Sequence, residues 1–149
     1  MYSNDYLTIY ECTTDDPTLK LIRIDMTHMP DDDGINVLCT ELVTYCQNAT
    51  TRAIIHFRHV KTEDMQPPSM HSMFAIAARL MENQDAVNKT IRGTIIQGTR
   101  IDDTVRVAHS LFKNVYKPQR MFEIVDNDET SMAHIKDVVK SRLKRRNVT

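Results

Sequence analysis

Six histidines, three cysteines and a run of three aspartates offer the most chemistry in this sequence. His56 and His59 stand three apart in the run AIIHFRHV. In a strand that spacing sends them to opposite faces, so they do not chelate one ion. His28, His71, His109 and His134 are scattered singly and make no ligand set. The DDDG run ending at Gly34 has the composition of a calcium loop. With Gly34 at the sixth position, however, the first and twelfth fall on Met29 and Thr40, and the EF-hand pattern fails. It reads instead as a solvated turn capping the helix that follows. Cys12, Cys39 and Cys46 are odd in number and lack CxxC spacing. Cys39 and Cys46 are seven apart on a helical pattern, face the same way, and read as reduced core thiols. Gly34, Gly93 and Gly98 form neither GxGxxG nor GxxxxGK, and no serine sits in a GxSxG elbow. The expectation is a chain that is no enzyme and has no cofactor and no metal.

The elements that position these residues follow from periodicity. Tyr6–Glu11 (YLTIYE) alternates as a strand, and so does LKLIRIDM from Leu19 to Met26, which makes an N-terminal hairpin across TTDDPT. After the breaker-rich THMPDDDG, Ile35, Leu38, Cys39, Leu42, Val43 and Cys46 fall on one helical face. AIIHFRHV is an apolar, β-branched strand, and MHSMFAIAARLM a helix whose inner face reads as Met70, Met73, Phe74, Ala77 and Met81. Asn83–Thr90 reads as a polar link and IRGTIIQG as a strand. The next helix, residues 103–115, turns Thr104, Ala108, Leu111, Phe112 and Val115 inward, with Asp102 or Asp103 placed to cap it. MFEIV is the last strand, and DNDETSMAHIKDVVKSRL the last helix, with Met132, Ile135, Val139 and Leu143 inward.

The order β-β-α-β-α-β-α-β-α predicts an α/β fold: one mixed, mostly parallel five-stranded sheet with about four helices. With 149 residues and no linker or repeat, residues 1–149 read as a single domain. Hydrophobic and charged contents of 41% and 26% are those of an ordinary globular protein. A formal charge of −1 argues against a domain-wide nucleic-acid footprint. The chain start, MYSNDYLTIY, has neither a basic region nor an apolar run, and no stretch approaches the roughly 18–20 apolar residues of a membrane span. A cytoplasmic location is therefore expected, with no membrane insertion. The Asn-x-Thr triplets at Asn48, Asn88 and Asn147 then carry no glycan.

In open α/β sheets the loop that leaves a central strand lies where ligands and partners dock. Here that crest runs from Lys61 to Ser72, with Thr62, Glu63, Asp64, Ser69, Met70 and Ser72 as the candidate partner-binding residues. Ser69, after two prolines, is suited to cap the helix. Met65 and Met70 are the methionines expected to be exposed, while the others fill core.

Nearly the whole chain resembles the STAS domain, the module of sulfate transporters and anti-sigma-factor antagonists, in the order and length of its elements. The likeness is carried by AIIHFRHVKTED, GTIIQG, FKNVYKPQRMFEIV and DNDETSMAHIKDVV. It implies a non-enzymatic protein-interaction module, serving as a regulatory or structural subunit or self-associating. In the antagonist branch of that family a phosphorylatable hydroxyl follows an aspartate at the start of the helix after the central strand. Asp64 matches the aspartate, but Met65 and Gln66 stand where the hydroxyls belong and there is no glycine. The phosphoswitch is therefore expected to be missing. The alternative is a small-ligand or lipid-binding α/β protein, or an enzyme, with a pocket at the carboxyl edge of the sheet. A third role rests on the short basic tail, residues 140–149. Its Lys140, Arg142, Lys144, Arg145 and Arg146 suit both the helix dipole and contact with an anionic partner.

Overall fold

The computed structural model describes residues 2–28, 30–60, 70–98, 103–113, 115–116 and 120–147. Strands β1 (Tyr2–Ser3), β2 (Leu7–Thr13) and β3 (Leu19–Met26) come first. Helix α1 (Asp32–Asn48), strand β4 (Arg52–His59) and helices α2 (Met70–Glu82) and α3 (Gln84–Thr90) follow. The chain closes with β5 (Ile91–Gln97), α4 (Asp103–Lys113), β6 (Met121–Val125) and α5 (Asp128–Asn147).

All six strands form one sheet in the order β1-β2-β3-β4-β5-β6. The first three pair antiparallel, and β3 through β6 are parallel. The α/β class and the mixed sheet match the sequence expectation, with one more strand and one more helix than expected. The additional strand, β1, is two residues long and carries no alternation to read. The additional helix, α3, replaces the expected polar link. It buries Val87 and Thr90, and the Thr90 hydroxyl donates to the Cys46 carbonyl at 3.2 Å.

Asp31 caps α1 by accepting the Gly34 N–H at 2.9 Å, and Ile35, Leu38, Cys39, Leu42, Val43 and Cys46 are all buried as expected. Cys39 and Cys46 are free thiols, and burial pushes Cys46 up to about 11. Strand β4 is buried on both faces. Ala53 and Ile55 join the core with α1, α2, α3 and α4, and Ile54 joins the one with Ile135 and Val139 of α5. One layer thus holds the first four helices. On the other face lies α5.

The inner face of α2 is a correction. Met73, Ile76, Ala77 and Leu80 are buried, while Met70, Phe74 and Met81 are 37%, 53% and 43% exposed. Two apolar stripes share this helix, and the residues read as core belong in part to the outer one. Met132 on α5 is likewise exposed rather than inward. On α4, Phe112 is buried, as is Val115 just beyond the helix, whereas Asp102 and the side chains of Asp103, Thr104 and Ala108 lie outside the description.

Removing Leu80 empties core and removing the outer residues does not. Leu80→Ala should cost about 2–5 kcal/mol of unfolding free energy, and Phe74→Ala and Met81→Ala less than about 1 kcal/mol each. Urea denaturation of the three variants checks this. Equal losses would restore the face read from the sequence.

Candidate functional site

Strand β4 ends at the crest, where Thr62, Glu63, Asp64, Met65 and Ser69 lie outside the described residues. His59 folds over the end of the neighbouring strand. A Cβ on Gly98 would come within 2.8 Å of His59 Nδ1, so the missing side chain makes room for the imidazole. Met70 opens α2 at the surface. Ser72, the other candidate from that turn, is on the buried side of the helix.

The outer face of α2 carries Met70, Phe74 and Met81 at i, i+4 and i+11, a stripe about 16 Å long. The Arg79 guanidinium does not cross it, being tied to Asn36 Oδ1 at 2.7 Å and Thr40 Oγ1 at 3.2 Å on α1. Exposed Asp32 and Asp33 begin the α1 flank, and exposed Arg106 and Lys113 mark the α4 flank. An aromatic anchor between two flexible thioethers is suited to an apolar surface that must adapt its shape.

The other face of the sheet holds a polar network that no short motif announces. Adjacent strands bring Arg23 beside His56, and Asp25 beside Arg58. Arg58 grips Asp25 as a fork, Nε to Oδ1 at 2.8 Å and Nη2 to Oδ2 at 2.7 Å, and the Tyr10 hydroxyl donates to the same carboxylate at 2.8 Å. That fork is the main reason the Arg58 pKa rises above the ordinary arginine value. Asp128, in the first turn of α5, accepts from Gln97 Nε2 at 2.8 Å and lies 3.5 Å from Arg58. Gln97 Oε1 accepts from Ser131 Oγ and lies 2.8 Å from His56 Nε2.

These contacts settle the histidine tautomer. Gln97 gives its amide protons to Asp128, so its oxygen only accepts, and His56 Nε2 must carry the proton. Nδ1 then holds a buried lone pair without a partner among the described residues. Burial, more than any neighbour, keeps the His56 pKa below the usual histidine range. The whole residue is shut off from solvent, and the imidazole reaches the start of α5 through Gln97, which holds Asp128 and Ser131. The signal was period-2 placement of polar residues, Arg23 with Asp25 and His56 with Arg58, on the largely apolar β3 and β4.

The basic tail is helical and partly engaged. Asp16, fully buried in the β2–β3 turn, accepts Arg142 Nε at 3.1 Å and Arg146 Nη1 at 2.6 Å. It also accepts the Thr18 N–H at 2.8 Å and the Thr18 hydroxyl at 2.7 Å. Burial alone would raise its pKa. Thr18 and Arg142 overcome that and hold it at about 2. Lys140, Lys144 and Arg145 remain exposed.

A groove of about 380 Å³ lies at the amino end of β3 and β4, lined by Glu11, Lys20, Glu41, Tyr45 and the last turn of α1. It is open and polar-rimmed, with Glu11, Thr44 and Asn48 exposed. Its place is opposite the carboxyl edge, where the small-ligand alternative expects a pocket. Among the described residues, no helix is long and apolar enough to cross a membrane. Comparison with protein-family models, curated proteins and solved structures found no match.

Two pH effects follow. A carboxylate held near 2 against an ordinary 3.8 stabilises the fold above about pH 4, and that contribution fades as pH falls toward 2. Asp16→Asn should cost about 2 kcal/mol at pH 7, a figure kept low because Arg146 is half exposed. The gap from wild type should close in acid. His56 and His59 act at higher pH. Their folded pKa values are lowered by burial, so stability is full above about pH 6.5 and declines as pH drops below it. Urea midpoints between pH 7.5 and 5 should show a shallower decline for His56→Gln than for wild type. An unchanged slope would mean that the neutral buried imidazole is not the cause.

Proposed function

We propose that this chain is a non-catalytic protein-interaction module of STAS-like build that docks a partner through the crest and the outer face of α2. The order of elements supports the likeness: an antiparallel start, then strand-helix repeats along a sheet whose strands lie in sequence order. The phosphoswitch of the antagonist branch is not part of the proposal, since Met65 and Gln66 occupy the hydroxyl positions and Ser72 is buried.

The observation that carries this reading is Phe74, half exposed between Met70 and Met81 on a helix that already buries a separate apolar stripe. A helix needs one such stripe to fold, so the second is free for recognition. The occupant that fits is an amphipathic helix of another protein, laid along α2 with its apolar anchors between Phe74 and the methionines. Charge sets its orientation. Asp32 and Asp33 favour basic residues over α1, and Arg106 and Lys113 favour acidic ones over α4.

A benzophenone amino acid at position 74 should cross-link the full chain to a protein bearing such a helix in an extract of the native source. The same group at exposed Lys136 should not. Phe74→Asp should weaken binding of the isolated partner at least about 10-fold without loss of helical signal. Adducts formed only with a second copy of this chain, or an unchanged affinity, would reject the reading.

A further inference from the structure

We propose that the amino end of the sheet carries a binding site for a small phosphate-bearing anion, formed by Arg52, Arg92, Arg120 and Arg142. The proposal does not rest on the α2 surface, which lies elsewhere. Arg52 is the first residue of β4, Arg92 the second of β5, and Arg120 directly precedes β6. Parallel pairing sets these positions side by side. Gly93 is opposite Met121, so Arg92 and Arg120 are neighbours, and Ala53 is opposite Ile91, so Arg52 joins them from the next strand. Three guanidinium-bearing positions therefore span two inter-strand spacings, about 10 Å. Arg142 approaches from α5, where Asp16 holds it.

The backbone supports the reading. Ala53 pairs with Ile91 but Ile54 pairs with Gly93, leaving Arg92 as one extra residue in β5. Such irregularities re-aim a side chain. Here Arg92 Nη1 donates to the Asn88 carbonyl at 2.9 Å and the Ile91 carbonyl at 3.3 Å.

Three of the four arginines lack a counter-charge. Among the described residues, Arg142 pairs with Asp16, and no carboxylate lies within 4 Å of the Arg52, Arg92 or Arg120 guanidinium. Arg120 Nε is buried with no partner among the described residues, a donor whose desolvation nothing offsets. Burial first, then repulsion from Arg120, Arg52 and Arg142, brings the Arg92 pKa down to about 10. Asp16, shared between Arg142 and Arg146, is the single carboxylate at this cluster among the described residues, too little for four guanidinium groups. A phosphate supplies what is missing, because its oxygens accept several guanidinium forks at once and its charge relieves the repulsion. Lys144 and Arg145, exposed in the last turn of α5, add to the positive field.

Thermal unfolding and calorimetric titration of the full chain with pyrophosphate at low salt test the site. Wild type should bind and gain about 3 °C or more in Tm at 10 mM pyrophosphate. Arg92→Gln and Arg120→Gln should each weaken binding at least 10-fold and, without ligand, keep or raise Tm because repulsion is relieved. Lys136→Gln, exposed midway along α5, should bind like wild type. Three results would overturn the proposal: no pyrophosphate binding, variants that lose Tm yet bind normally, or retention of duplex DNA or acidic vesicles without binding of pyrophosphate.

Discussion

Helix α5 crosses the face opposite the other four, and the two polar clasps at its ends decide how it lies. Its apolar residues, Ile135 and Val139 with Leu143 beside them, meet Leu19, Leu21, Ile54, Ile95 and Val125. Hydrophobic contact is non-directional and does not choose an angle. The direction comes from Ser131 and Asp128 on Gln97 at one end, and from Arg142 and Arg146 on Asp16 at the other. The first anchor is above β5, and the second reaches the turn between β2 and β3. The helix therefore lies obliquely.

An oblique helix leaves the corner of β2, β3 and β4 beside the carboxyl ends of the parallel strands uncovered. Tyr10, Asp25 and Arg58 occupy that corner, where an ion pair keeps part of its hydration. Further under α5 the groups lose water altogether, and there the polar residues are His56, Gln97 and Ser131, all neutral and joined to one another. The one carboxylate fully buried among the described residues, Asp16, is by contrast held by two arginines and Thr18, as the cost of desolvation requires.

Residues that repeat at short spacing were legible, and residues joined across the fold were not. Helix α1 is readable to the side chain because Ile35, Leu38, Cys39, Leu42, Val43 and Cys46 form one apolar stripe and most of its other residues are polar. Helix α2 has two stripes, and periodicity alone does not say which meets the sheet. That requires the position of β4 and the neighbouring helices, so spacing alone places Phe74 and Met81 inward, whereas Met70, next to the crest, is exposed as expected. The contact between His56 and Gln97 joins residues 41 apart, and that of Asp16 with Arg142 joins residues 126 apart. Nothing local encodes either. The arginine row left a faint trace: an arginine stands at the start of each of three successive parallel strands. Once the strands are taken as parallel and adjacent, those three must meet.

Ligands of open α/β sheets ordinarily bind at the carboxyl ends of the strands, beside helix N-termini whose partial positive charge attracts anions. The amino end has the reverse polarity, since the crossover helices bring their C-termini there. That polarity is what lets arginines gather. The carbonyl of Asn88, in the last turn of α3, accepts from Arg92 and fixes one edge of its guanidinium. Helix α5 follows the last strand and also runs back toward this end, but its final turn carries Lys144, Arg145 and Arg146 rather than bare carbonyl charge. The end of α3 thus holds Arg92 in place without filling the role of a counter-ion, because the half-charge of a helix terminus leaves full guanidinium charges in excess.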